Sequence, residues 1–164
     1  NNIIEAQIVD DLDIDWIFID LETIGKKERQ VGRNTVLSNH SIKDIRNIKT
    51  IINNTKILVR CNPIGEWSKN ELNEINTRGS EIDMAMLPFF KTIEEVKTFI
   101  DLLDTSKIEP ALLIETMDAI TNLEEIIKIF PFKYVHIGLN DLHIERGTIS
   151  MFEPYIDGLI SKLF

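Results

Sequence analysis

Cysteine is almost missing from this sequence: Cys61 stands alone among 164 residues, so no internal disulfide framework can staple the fold and stability must come from a core. Long apolar runs are also missing. No stretch reaches the roughly 18 apolar residues a membrane helix needs, and the first residues lack a basic segment followed by a hydrophobic one, so neither a membrane span nor a signal peptide is expected. Basic residues are scarce relative to acidic ones: 18 Lys and Arg against 27 Asp and Glu give a net charge of −9. Such a surface repels phosphate backbones and anionic bilayers, which argues against nucleic acid and membrane as partners. Together these features point to a cytoplasmic protein. No glycine-rich phosphate loop follows the first apolar run either, since Leu21-Glu-Thr-Ile-Gly-Lys26 holds one glycine and no GxGxxG. This weakens a nucleotide-binding reading.

What is present is an alternation of period. Asp15 to Asp20, Lys56 to Arg60, Ile82 to Leu87, Pro110 to Ile114 and Lys133 to Gly138 are short apolar runs of the kind a strand buried on both faces requires. Between them apolar residues recur at helical spacing: Ile42, Ile45, Ile48 and Ile52; Leu72 and Ile75; Val96, Phe99, Ile100 and Leu103; Leu123, Ile126, Ile127 and Phe130. Three capping boxes are predicted, Ser68 with Glu71, Thr92 with Glu95 and Thr121 with Glu124, and Gly79 and Pro131 stop two of the helices. Strand and helix in alternation give right-handed βαβ units and a parallel sheet, so the class is α/β and residues 1–164 form a single domain. The spacing leaves a closed barrel and an open doubly wound sheet both open. The chain begins at Asn1 without a methionine and ends inside a segment, Phe152 to Phe164, that reads as an amphipathic helix, which suggests a fragment of a longer protein.

Polar residues gather just past the strand ends: Asp20 and Glu22, Arg60 and Asn62, Glu115, and Asn140 with Asp141. In a parallel barrel those ends converge on one mouth. Glu115 and Asp141 lie 26 positions apart, one βα unit, and two carboxylates with room for water and substrate form the usual protein share of a Mg²⁺ or Mn²⁺ site. The alternative is that both are strand-end acids capping the helices that follow. Arg60 cannot shed its charge, so it is either paired with Asp20 or Glu22 or turned toward a ligand, where it would donate to a developing enolate oxygen. Asp20 and Glu22 share one side of the strand end and are candidates to orient Arg60 or hold water. His40 is a candidate proton-transfer group, although a surface histidine is the blander reading. His136 reads as a packed strand residue, His143 as a conceivable third metal ligand, and Cys61 has no histidine base near it in sequence. The stretch from Gly25 to Asn39, with Lys26, Lys27, Arg29 and Arg33, reads as an active-site loop.

Taken in order, Asp20-Leu-Glu22, Leu58-Val-Arg60-Cys-Asn62, Met86-Leu-Pro88-Phe-Phe-Lys91-Thr with Glu94 and Glu95, Ile114-Glu115-Thr and Ile137-Gly-Leu-Asn-Asp141-Leu resemble the HpcH/HpaI aldolase and citrate lyase β-subunit family. The resemblance runs from about Asp15 to Leu142. It implies a (β/α)₈ TIM barrel of the phosphoenolpyruvate and pyruvate type, represented here by an incomplete set of βα units that lacks the first strand and the last two. It further implies a lyase that makes or breaks a carbon–carbon bond beside a carbonyl through an enolate. Carried over by position, Glu115 and Asp141 bind a divalent metal, Mg or Mn, and Arg60 stabilises the enolate. The substrate is then a small 2-oxo acid such as pyruvate, or its aldol adduct, and the protein a homo-oligomer. The aldolase branch has a histidine where this chain has Thr23, and the citrate lyase branch has an acid there. Two alternatives therefore stand beside the aldolase: an acyl-CoA lyase, for which Lys26, Lys27, Arg29 and Arg33 are the candidate phosphate ligands, and a catalytically silent binding or scaffold barrel.

Overall fold

The computed structural model describes residues 2–26 and 39–163. Helix α1 (Ile3–Asp11) leads into β1 (Trp16–Asp20), followed by α2 (Ile42–Lys49), β2 (Lys56–Arg60), α3 (Ser68–Thr77), β3 (Met84–Leu87), α4 (Ile93–Leu102), β4 (Glu109–Ile114), α5 (Met117–Ile129), β5 (Tyr134–Ile137), α6 (Leu139–Arg146), α7 (Glu153–Ile156) and a closing 3₁₀ turn (Ile160–Lys162). The five strands are parallel in the order β1-β2-β3-β4-β5, curled into a half-barrel. In-register pairing of Asp20 with Arg60, and of Ile114 with Ile137, brings the strand ends to one rim.

The period of two sorts side chains onto two faces. Ile19, Ile57, Val59, Ala85, Leu87, Leu112 and Ile114 point outward into the main core, where Ile45, Ile48, Leu72, Ile75, Val96, Phe99 and Ile126 of the helices cover them. Phe99 is fully buried there, and cutting it to alanine would cost about 3–5 kcal/mol. The concave face carries Trp16, Leu58, Met84, Met86, Ala111 and Leu113. Across this face the rings of Trp16 in β1 and Tyr134 in β5 meet edge to face, their centroids 6.0 Å apart. Strands four places apart are diametrically opposed in an eight-stranded barrel, so this cross-barrel contact is the one its curvature requires.

The caps differ from the sequence expectation in two of three cases. Thr92 and Glu95 form the predicted box, Glu95 accepting the Thr92 N–H at 2.8 Å. Ser68 is instead the first helical residue, its hydroxyl accepting the Gly65 N–H, and Glu71 turns back to Asn62. Thr121 lies inside α5, whose cap is Thr116, while Glu124 pairs with Lys128. The motif Ser/Thr-x-x-Glu fits helix interiors as well as starts, which is why it misled. The predicted terminal helix is also broken: Gly158, at φ 78°, ends the chain's last α-helical turn and a 3₁₀ turn follows. Helix α1, unpredicted, is fastened through Asp10, whose carboxylate accepts the N–H groups of Asn53, Asn54 and Thr55 at 2.8, 2.9 and 2.7 Å. Those bonds hold its pKa down to about 2. Among the described residues no helix is long and apolar enough to cross a membrane.

Candidate active site

Asp20 closes β1 and Arg60 closes β2 beside it. The pair is bidentate: Arg60 Nε donates to Asp20 Oδ1 at 2.9 Å and Nη2 to Oδ2 at 2.8 Å, which fixes the guanidinium plane. Glu22 lies 3.3 Å from the same Nη2. The guanidinium also stacks on Phe18, its carbon 5.4 Å from the ring centroid. Burial opposes the charge on Arg60, but its hydrogen bonds to Asp20 and the charge of Glu22 outweigh it and hold the pKa above its ordinary value. Nε and Nη2 are thus occupied, and Nη1 points toward Glu115, 3.6 Å away just past the end of β4. Of the two readings the sequence leaves open for Arg60, the pairing with Asp20 and Glu22 is present.

Glu115 follows β4 directly, and Asp141 sits in the first turn of α6, one strand further round. Both are buried, and Asp141 hydrogen-bonds to Glu115. Burial, and then the charge of Asp141, push the Glu115 carboxyl up to about 8. Glu115 Oε2 finds no hydrogen-bond partner among the described residues. At this rim Lys26 and Arg60 pair with Asp20 and Glu22, and Arg60 Nη1 also approaches the Glu115 carboxylate that lies against Asp141. The residues present therefore fit a Mg²⁺- or Mn²⁺-type site of two carboxylates completed by water and substrate. Among the described residues no group of three or more His, Cys, Asp or Glu side chains is arranged to hold a metal. His143 supplies no third ligand to the pair: its Nδ1 lies 2.8 Å from Thr148 Oγ1, toward the end of α6.

Lys26 is the residue that the sequence reading misplaced. Grouped with Lys27, Arg29 and Arg33 as a phosphate ligand, it is instead buried and paired with Asp20 and, at 3.8 Å, with Glu22. Its position six residues after Asp20 was the available signal. Lys27, Arg29 and Arg33 lie outside the described residues. His40 is fastened to the strand end: Leu21 donates its N–H to Arg60 O across the ladder, so the Asp20 N–H points to the open edge of β1, where His40 Nδ1 accepts it at 3.0 Å. Burial lowers the pKa of His40, leaving Nε2 as the protonated nitrogen of a neutral ring. His136, expected to be packed, is exposed on the concave face of β5, the edge strand of the sheet among the described residues. Cys61 is buried with its thiol against Met86 O, and burial raises its pKa, as its reading as a non-nucleophile requires.

Asn62 was noted in sequence only as a strand-end polar residue. Its Oδ1 accepts the N–H groups of Thr23 and Ile24 at 2.8 and 2.9 Å, while its own N–H and Nδ2 donate to Glu71 at 3.0 and 2.8 Å. It clamps the segment carrying Glu22 and Thr23 to the β2 side of the rim. On β3 the turn after Leu87 passes through Phe89 at φ 52°, a left-handed conformation that costs a bulky residue about 1 kcal/mol or more. Thr116 secures that turn by donating to Phe90 O at 2.8 Å.

The comparisons agree with this geometry. The solved structure of an HpcH/HpaI aldolase from Desulfitobacterium hafniense DCB-2 superposes with a TM-score of 0.68 at 13% identity, covering 99% of this chain and 68% of the other. Citrate synthase SbnG gives 0.71 at 12%, with the same coverage of 99% and 68%. A citrate lyase from Burkholderia xenovorans LB400 gives 0.64 at 9%, covering 98% of this chain and 54% of its own. At such identities they establish a shared fold. Comparison with curated protein sequences gives no match. The family model for HpcH/HpaI aldolase/citrate lyase matches residues 1–152, and the chain belongs to that family of lyases.

Proposed function

We propose that this chain serves a metal-dependent carbon–carbon lyase, an aldolase acting through the enolate of a small 2-oxo acid such as pyruvate. The observation that carries the reading is the buried Glu115–Asp141 pair facing Arg60 Nη1. Glu115 and Asp141 would hold Mg²⁺ or Mn²⁺, which when bound polarises the keto group and offsets negative charge on its oxygen. Arg60, its plane set by Asp20 and steadied by Glu22, offers Nη1 as a donor to the same oxygen. His40, neutral and anchored through Nδ1, has Nε2 available to move a proton. The concave face below carries Leu58, Met86 and Ala111, an apolar floor for the methyl side of a small substrate.

Proton NMR of pyruvate in D₂O with Mg²⁺ or Mn²⁺ tests this. The expected result is enzyme-dependent loss of the methyl signal, reduced about a hundredfold or more in Glu115→Gln and Asp141→Asn. Absence of exchange in the metal-supplied wild type would sink the proposal. Binding of free CoA by calorimetry would instead favour the acyl-CoA lyase, although the inward turn of Lys26 removes one of the four cations that reading relied on.

A further inference from the structure

The glycines of this chain divide by what they are for. Gly147 and Gly158 sit at φ 64° and 78° with open space where a Cβ would go, so backbone conformation explains them. Gly138 is the reverse case. Its φ of −86° and ψ of 79° lie outside the left-handed region, so conformation does not call for glycine there. Space does: a Cβ built at Gly138 would lie 2.4 Å from Glu115 Cγ, 2.9 Å from Oε1 and 3.1 Å from Cδ.

The clash leaves little room for relief. Glu115 Cγ is one bond from Cβ, next to the backbone that follows β4, so it is not the free end of a flexible side chain. Gly138 is pinned from both sides as well. Its N–H donates to Ile114 O at 2.8 Å, holding β5 to β4, and its carbonyl accepts the Leu142 N–H at 3.2 Å, the first turn of the helix that carries Asp141. Retreat of Gly138 would loosen that ladder or shift α6. Retreat of Glu115 would carry its carboxylate away from Asp141 and Arg60.

We propose that Gly138 is a positioning residue whose missing side chain is the seat of Glu115, and that this vacancy sets the approach of the Glu115 and Asp141 carboxylates. The inference rests on the reading of those two acids as the metal-holding pair, but the seating itself is a matter of packing that can be measured without metal. Urea unfolding of four proteins isolates it: wild type, Gly138→Ala, Glu115→Ala and the double variant. The added methyl is expected to lower the folding constant about tenfold or more when Glu115 is present, and to have little effect once Glu115 is cut to alanine. Refolding of the double variant where Gly138→Ala alone fails to fold would be the same result in stronger form. Titration with Mn²⁺, followed by its electron paramagnetic resonance signal, should show affinity falling about tenfold or more in Gly138→Ala. Equal losses in both backgrounds, including failure of both to fold, with Mn²⁺ affinity unchanged wherever the protein folds, would overturn the proposal. A wild type that takes up no Mn²⁺ while the unfolding cycle shows coupling would remove the metal reading and leave the seat in place.

Discussion

The two halves of the rim treat acid pairs in opposite ways. On the β1–β2 side, Asp20 and Glu22 meet Arg60 and Lys26, so each buried charge has a counter-charge supplied by the protein. On the β4–β5 side, Glu115 lies against Asp141, its Oε2 has no hydrogen-bond partner among the described residues, and Arg60 Nη1 approaches it only to 3.6 Å. Desolvation is similar on both sides, so the difference lies in neutralisation. Asp20 and Glu22 complete a charge network, whereas Glu115 keeps one oxygen that the described residues leave unanswered. Removing one member should therefore change stability in opposite directions on the two sides.

The largest effect is expected on the neutralised side. Arg60→Met would take the bidentate partner from Asp20 and the 3.3 Å contact from Glu22 and should lose about 3–5 kcal/mol, because removing one partner of a buried ion pair is strongly destabilising. Urea unfolding at neutral pH measures this, and a neutral outcome would erase the distinction. On the other side, Glu115→Gln should stabilise the metal-free protein at pH 8, by on the order of a few kcal/mol. The folded carboxyl titrates at about 8 rather than its ordinary 4.5, so between those values the folded state binds the extra proton. Stability of the wild type should then fall as pH rises through that window and level off above it, and the Gln variant should be flatter. Mg²⁺ or Mn²⁺ should restore the wild type at pH 8 and leave Glu115→Gln unmoved, as differential scanning calorimetry would record.

Next in size is the clamp that holds the first half of the rim in place. Asn62→Ala would leave the Thr23 and Ile24 N–H groups without their acceptor and take the Nδ2 donor from Glu71, which keeps only the backbone N–H of position 62, a loss of about 1–3 kcal/mol. Burial raises the Glu71 pKa, and the Asn62 bonds oppose that rise. The variant should accordingly show Glu71 titrating higher by NMR, a response a merely loosened loop would not give.

The sequence made this contrast only half visible. Strand ends were legible because parallel strands buried on both faces leave a short apolar run with polar residues after it, and all five strands match within about two residues. Arg60, Asp20 and Glu22 converge as those ends imply. Lys26 was illegible because its partner depends on how the chain folds back after β1, a tertiary fact that no period encodes. Helix α1 was hidden since Ile4, Ile8 and Leu12 are exposed and only Ala6 and Asp10 are buried, which blurs the stripe that announces a helix. Helix α6 follows β5 with Gly138 alone between them, so Asp141, legible as an acid past the strand end, occupies a first helical turn.

The smallest effect sharpens the comparison from beside Glu115. Thr116 is fully buried, accepts the Ala119 N–H at 3.0 Å as the cap of α5 and donates to Phe90 O beside the left-handed Phe89. Thr116→Ala should cost about 1–2 kcal/mol through the lost cap, whereas Thr116→Ser keeps both bonds and should cost less. If the acid pair is held chiefly by Gly138 and the strands, Mn²⁺ affinity should scarcely move in either variant. A large loss of affinity in Thr116→Ala, recovered in Thr116→Ser, would mean that the cap and the strained turn also fix Glu115. The β4–β5 half of the rim would then be as tightly braced by hydrogen bonds as the β1–β2 half is by charge.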